Sequence, residues 1–107
     1  MSYSDATRAR VYLRESAEFR GEPTYRLIVQ AFRRAGITDL SVHRGIMGFD
    51  RASGVLSSRP LRFHADLPLV VEAVGDREQV ESALPEIRSC LSRGLITLSD
   101  VQLYVSD

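Results

Sequence analysis

Hydrophobic residues recur along this chain with two different periods. In residues 9–14, ARVYLR, Val11 and Leu13 fall on one side and Tyr12 on the other, the alternation of a strand with one buried face. The next stretch, GEPTYRLIVQAFRRAG, instead sets Tyr25, Ile28, Val29, Phe32 and Ala35 at helical spacing, opposite Arg26, Gln30, Arg33 and Arg34. Pro23 needs no amide partner and suits the first helical position, while Gly36 suits the left-handed residue that ends a helix. The pattern predicts an amphipathic helix of about 13 residues, ~20 Å long.

Period two returns in residues 39–45 through Leu40, Val42 and Arg44, and the β-branched run LPLVVEAV, residues 67–74, predicts a third strand. Asp76 with Gln79 three positions later has the form of a capping box opening a second helix, whose buried stripe is Val80, Ala83, Leu84, Ile87 and Leu91. Gly94 is expected to close it, and Pro85 to kink or break it near Ala83 and Leu84. The last strand, VQLYV at residues 101–105, alternates Val101, Leu103 and Val105 with Gln102 and Tyr104. The order is βαββαβ. With right-handed crossovers it predicts an α+β, ferredoxin-like sandwich, a four-stranded antiparallel sheet with both helices on one face. The second face, to which Tyr12, Val70, Val74 and Tyr104 are assigned, has no helix to cover it, so an oligomer is expected.

Composition narrows this picture. At 107 residues, 44% hydrophobic and 26% charged, with no linker-like run, the chain suits a single folded domain. No apolar run approaches the ~20 residues a bilayer demands, residues 1–10 lack the apolar stretch of a secretory signal, and the one cysteine, Cys90, cannot form an internal disulfide. A soluble, cytoplasmic protein without membrane insertion is expected. Fourteen acids balance fourteen bases, so no overall field draws the chain to nucleic acid. All the bases are arginine, which excludes Schiff-base and phosphate-loop lysines. The charge is unevenly spread: Arg44, Arg51, Arg59 and Arg62 face only Asp50 in residues 44–65, whereas Glu72, Asp76, Glu78, Glu81 and Glu86 face only Arg77 in residues 72–86.

The arginine-rich stretch VHRGIMGFDRASGVLSSRP, residues 42–60, is a long loop with little periodicity. With RVYLRE, GEPTYRLIVQAFRRAGI, VHRGIMGF, DLPLVVEAV and RGLITLSDVQLYV, the chain resembles over residues 10–105 the bacterial family called domain of unknown function 190, in the PII-like superfamily. The resemblance implies a homotrimer with inward-facing sheets and a T-loop between the second and third strands that docks on a target protein. It also implies nucleotide binding in clefts between subunits, at the T-loop base and at a second loop before the last strand. Here residues 42–48 match the T-loop base, residues 49–66 the mobile arm and residues 94–100, with Gly94, the second loop. PII proteins carry a lysine in that second loop and further basic residues after it; here it reads GLITLSDVQL and the sequence soon reaches Asp107. PII-type triphosphate binding is therefore not implied, and a smaller anion, a different nucleotide or no ligand remain open.

Gly45 and Gly48 at the loop base let backbone amides approach a ligand, with Arg44, Arg51, Arg59 and Arg62 as forked donors for phosphate or carboxylate oxygens. The alternative is solvated arginines paired with the acidic second helix and glycines that serve a turn. The spacing GIMG matches no dinucleotide or phosphate-loop fingerprint. Phe49, beside Asp50 and Arg51, is a candidate anchor for a partner, against the alternative of an aromatic folded onto its own subunit. His43 and His64 flank the loop without cysteine or carboxylate at ligand spacing, so no metal site is assigned. Cys90 reads as a packed thiol, and no catalytic triad or carboxylate pair stands out. No cofactor is expected beyond a nucleotide effector of unknown identity. The leading expectation is a non-enzymatic regulatory trimer. The alternatives are an interaction module without small ligand, docking on a partner such as a membrane transporter, and a divalent-metal-handling protein.

Overall fold

A computed structural model describes residues 1–51, 56–57 and 66–106. The six principal elements are β1 (Ser2–Arg14), α1 (Thr24–Arg34), β2 (Asp39–Arg44), β3 (Pro68–Gly75), α2 (Arg77–Cys90) and β4 (Leu95–Val105). The four strands form one sheet in the order β2-β3-β1-β4, antiparallel throughout. This is the expected ferredoxin-like arrangement, with two helices against a four-stranded sheet.

Register explains where the core sits. Ala9, Val11 and Leu13 lie opposite Ala73, Val71 and Leu69, so one face of the β1–β3 pair is apolar along its length. Ile28, Ala31 and Phe32 from α1 and Val80, Ala83, Ile87 and Cys90 from α2 pack onto it. All these side chains are buried.

α1 starts one residue later than expected, with Pro23 as the residue before the helix. Its buried set is Thr24, Ile28, Ala31 and Phe32, while Tyr25, Val29 and Ala35 pack only at the margin. A tight hairpin pairs Glu18–Phe19 with Glu22–Pro23 through Arg20 (φ 53°) and Gly21 (φ 81°), both left-handed, and delivers the chain to the helix start. At the other end Gly36 has φ 92°, its amide donates to the Arg33 carbonyl and the Ile37 amide donates to that of Phe32. These two bonds make a Schellman closure, with Ile37 buried beneath it.

α2 opens on the expected capping box of Asp76 and Gln79. It then runs unbroken through Pro85, without the break expected near Ala83 and Leu84. Pro85 and Glu81, whose carbonyl loses its usual donor to the proline, both lie on the exposed face, where water can satisfy that carbonyl. Cys90 completes the buried stripe in place of Leu84 and Leu91, which are only half-buried. Gly94 does not close this helix, which ends at Cys90 with Leu91 as cap. A side chain at Gly94 would come within 2.7 Å of the Tyr12 carbonyl oxygen, so glycine serves a close backbone approach instead.

Two strands are longer than apolar alternation suggested. β1 begins at Ser2 and β4 at Leu95, paired in one continuous register from Ser2 opposite Val105 to Tyr12 opposite Leu95. Residues 95–100, expected as part of a second loop, are therefore ladder. Polar side chains such as Ser4, Asp5, Thr97 and Ser99 carry no apolar period, but their backbones complete the hydrogen bonds of a ribbon. The register also reverses the last strand's expected facing. Val101 and Leu103 lie opposite Ala6 and Ser4, on the face away from the helices, while Tyr104 lies opposite Tyr3 on the helix side, ring centroids 4.6 Å apart.

Phe32 is the largest of the fully buried side chains. Phe32→Ala is expected to destabilise the fold by about 3–5 kcal/mol in urea denaturation, through lost burial and the cavity left behind.

Candidate functional site

Antiparallel pairing gathers four strand ends, and the three connections that leave them, at one end of the sheet. Arg14, the last residue of β1, lies opposite Pro68, and Arg44, the last of β2, lies opposite Leu69. The start of β4 is there too, since Leu95 faces Tyr12. Backbone bonds tie these connections together: the Glu15 amide donates to the Leu67 carbonyl at 2.9 Å and the Gly45 amide to that of Pro68 at 2.7 Å.

Ion pairs cross the same end. Arg44 Nη2 meets Glu15 Oε1 at 2.5 Å. Arg14 stands between two carboxylates, with Nε 3.6 Å from Asp50 Oδ2 and Nη1 3.6 Å from Asp66 Oδ2. The other oxygen of Asp66 accepts the Ser16 amide at 3.2 Å. Asp50 and Asp66 thus tie both flanks of residues 51–65 to the end of β1.

Of the residues expected at the loop base, Arg44 is where the sequence placed it, exposed and ion-paired. Gly45 and Gly48 are not in left-handed conformations, and a side chain on either would meet the Pro68 ring, at 2.9 and 3.1 Å respectively. They pack the turn against Pro68, and the Gly45 amide already has a carbonyl acceptor. That amide is therefore not open to a ligand. Short strands Met47–Gly48 and Leu56–Ser57 pair across the loop. Arg51 is exposed; Arg59, Arg62 and His64 lie outside the described residues.

Phe49 is not folded onto its own subunit: it is 81% exposed, next to Ile46 at 88% and Met47 at 66%. Asp50 is directed to Arg14, so the triplet of Phe49, Asp50 and Arg51 is divided between surface and ion pair. His43, on the edge strand β2, hydrogen-bonds Ser41 Oγ at 2.7 Å. Burial pushes the Cys90 thiol pKa up, away from a reactive thiolate.

What periodicity missed is the far side of β1. Arg8, Arg10 and Arg14 occupy alternate positions there, interrupted by Tyr12, and make a cationic ladder on the face without helices. The signal lay in RARVYLR, but Val11 and Leu13 dominate a search for buried residues. Transverse rows run Asp39, Val74, Arg8, Ser99; then Ser41, Glu72, Arg10, Thr97; then His43, Val70, Tyr12, Leu95. This face is therefore mixed rather than simply apolar. Glu72 sits at its centre, 2.7 Å from Arg10 Nε and 3.9 Å from Arg8 Nε. Among the described residues, the buried side-chain nitrogens lacking a hydrogen-bond partner are Arg8 Nε and Arg14 Nε, both on the ladder.

At the opposite end of the sheet a recess of about 500 Å³ is lined by Asp5, Thr7, Asp76, Arg77 and Asp100 among others. Arg77 is already paired there with Glu81 and Asp100, each at 2.9 Å. Its excess of aspartates suits an anion poorly, so the arginine-bearing end remains the candidate site.

Comparison with known proteins agrees with this architecture. The model of the DUF190 family, described as Uncharacterized ACR, COG1993, matches residues 6–103. UPF0166 protein MJ1524 of Methanocaldococcus jannaschii is 32% identical over 96 residues, covering 89% of this chain and 88% of that protein. A UPF0166 protein of Aquifex aeolicus is 29% identical over 94 residues, covering 88% and 89%. Among solved structures, CPII of Thiomonas intermedia K12, a nitrogen regulatory PII-like protein bound to ADP, AMP and bicarbonate, superposes with a TM-score of 0.74. It does so at 15% identity, over 95% of this chain and 91% of that one. The GlnK–ATP complex of B. subtilis superposes with a TM-score of 0.59 at 15% identity, over 91% and 82%.

The central ion pair makes stability depend on pH. The hydrogen bond from Arg10 holds the Glu72 carboxyl below its ordinary value of 4.5, against an opposing effect of burial. A depressed carboxylate pKa stabilises the fold above the unfolded value, and that contribution disappears as pH falls through the folded value. Glu72→Gln is expected to unfold at lower urea than the wild type at pH 7. The gap should narrow below pH 4.5 and close once the carboxylate is protonated; a gap that stays constant with pH would contradict this role.

Proposed function

The chain belongs to the DUF190 family, and on that premise we propose that it is a PII-like regulatory protein, non-enzymatic and cytoplasmic. As a homotrimer it binds a small anionic effector, a nucleotide in the first place, between subunits, and it contacts a target protein through residues 49–66. The observation that carries this reading is the convergence of Arg14 and Arg44 on the sheet end where residues 45–67 depart, beside the exposed Ile46, Met47 and Phe49. Arginine is matched to phosphate and carboxylate oxygens, and a cluster of exposed apolar side chains is matched to a protein surface.

Two further facts support it. The fold is shared with PII-like proteins whose structures hold ADP, AMP, ATP or bicarbonate. The sheet face away from the helices exposes Leu95 and leaves Tyr12, Val70, Val74, Val101 and Leu103 half-covered, as suits burial between copies of the chain. With no lysine in the chain, arginine must do the work that lysine does for phosphates elsewhere, which favours small oxyanions and mono- or diphosphates over a lysine-held triphosphate. A second reading, docking without a small ligand, is favoured by Phe49 and Met47 alone and needs neither arginine.

Calorimetric titration with AMP, ADP, ATP and the cyclic nucleotides, with and without bicarbonate, separates the two readings. Binding is expected for at least one, weakened about tenfold or more in Arg44→Ala by loss of a charge-assisted hydrogen bond. A flat response across the panel would remove the effector and leave the docking reading. Sedimentation should give three times the 12.0 kDa of one chain, and a stable monomer would remove the shared clefts.

A further inference from the structure

We infer that Arg14 is an oxyanion-binding residue of the effector site, and that Asp50 and Asp66 are built-in competitors which the effector must displace from it. This rests on the regulatory reading above and identifies what regulates that site. Elsewhere the fold brings arginines onto carboxylates at hydrogen-bond length: Arg10 to Glu72 at 2.7 Å, Arg77 to Glu81 and Asp100 at 2.9 Å, and Arg44 to Glu15 at 2.5 Å. Arg14 differs. Both its carboxylates stop at 3.6 Å, and its buried Nε donates to neither.

The cause is visible for Asp66, whose Oδ1 is held by the Ser16 amide. It lies close enough to balance the charge of Arg14 but not to engage its donors. The Nε of Arg14 is thus compensated in charge but engaged by no hydrogen bond. A phosphate or carboxylate group, approaching with two oxygens, can form the paired hydrogen bonds that Asp50 and Asp66 do not. Arg8, the other residue with an unengaged Nε, lies within the sheet face beside Glu72, whereas Arg14 stands at the strand end shared with Arg44.

Displacement has a structural consequence. Asp50 and Asp66 stand on either side of residues 51–65, so an anion that takes Arg14 removes an ion pair from each in one step, while Asp66 keeps its bond from the Ser16 amide. Ligand occupancy and anchoring of the two flanks then belong to a single equilibrium, which lets a small anion alter what a partner protein meets.

The test measures ADP and inorganic pyrophosphate binding by calorimetry to the full chain and four variants. In Asp50→Asn/Asp66→Asn, affinity is expected to rise about three- to tenfold, the scale of two solvent-reachable ion pairs removed as competitors. Arg14→Gln should weaken binding about tenfold or more, and Arg14→Lys, which keeps charge but loses the fork, should fall between it and the wild type. Asp5→Asn/Glu78→Gln removes the same charge at the far end of the sheet and should change little. A gain with both probes marks the diphosphate as the group recognised; a gain with ADP alone marks the nucleotide. If the wild type binds ADP but the Asp50/Asp66 variant binds no tighter, or the far-end control gains as much, the inference fails while the regulatory reading stands. If no protein binds either probe, the inference fails, and the wider nucleotide and bicarbonate titration decides the regulatory reading.

Discussion

β1 is hydrogen-bonded along both edges, to β3 on one side and β4 on the other, so its side chains have only two directions available. One carries Ala9, Val11 and Leu13 into the core, and the other carries Arg8, Arg10 and Arg14 out of it. The rest of the molecule follows from this division. Burial of the apolar half draws α1 and α2 onto one face, which leaves the arginines on the face that neither helix covers. Three like charges along one strand are tolerable only with counterions, and Glu72, Asp50 and Asp66 supply them.

The same topology decides where chemistry can happen. Antiparallel pairing brings the exits of β1 and β2 and the entries of β3 and β4 to one end, so ionic groups far apart in the chain meet there. Arg14 meets Asp66, and Glu15 meets Arg44. The glycines at this end settle how closely backbones pass: Gly45 and Gly48 against the Pro68 ring, Gly94 against the Tyr12 carbonyl. Packing against Pro68 and the bond from the Gly45 amide close part of the loop root, and the charged side chains of Arg14 and Arg44 stand beside it. The exposed Ile46, Met47 and Phe49 add an apolar surface beside that charge, a combination suited to a protein that reads a small anion and reports to a larger partner.

Several parts of the fold were legible because they depend on local chemistry. Gly36 forms the left-handed closure that its position after the apolar stripe required, and Asp76 with Gln79 forms the capping box their spacing described. Val11, Leu13, Ile28, Phe32, Val80, Ala83 and Ile87 are all buried, since period and burial express the same fact about one face of an element. Legibility failed where stability comes from partners rather than from side-chain period. The polar ends of β1 and β4 look like loop until each is seen to complete the other's ladder. Pro85 looks like a break until its position on the wet face of α2 is known.

The candidate site divides the same way. From residue types alone come the arginine excess after β2, Arg44 as a base-of-loop cation, the absence of lysine, and the βαββαβ order that leaves one sheet face without helices. Tertiary structure alone decided that Arg14 stands at the same sheet end between Asp50 and Asp66, that Gly45 and Gly48 pack against Pro68, and that Val101 and Leu103 face away from the helices while Tyr104 faces toward them. The physical reason is range. Helix caps and alternation depend on neighbours a few residues away, but the ion pair of Arg14 with Asp66 and the register of β4 on β1 join residues distant in the chain, and a linear pattern holds no record of which of them meet.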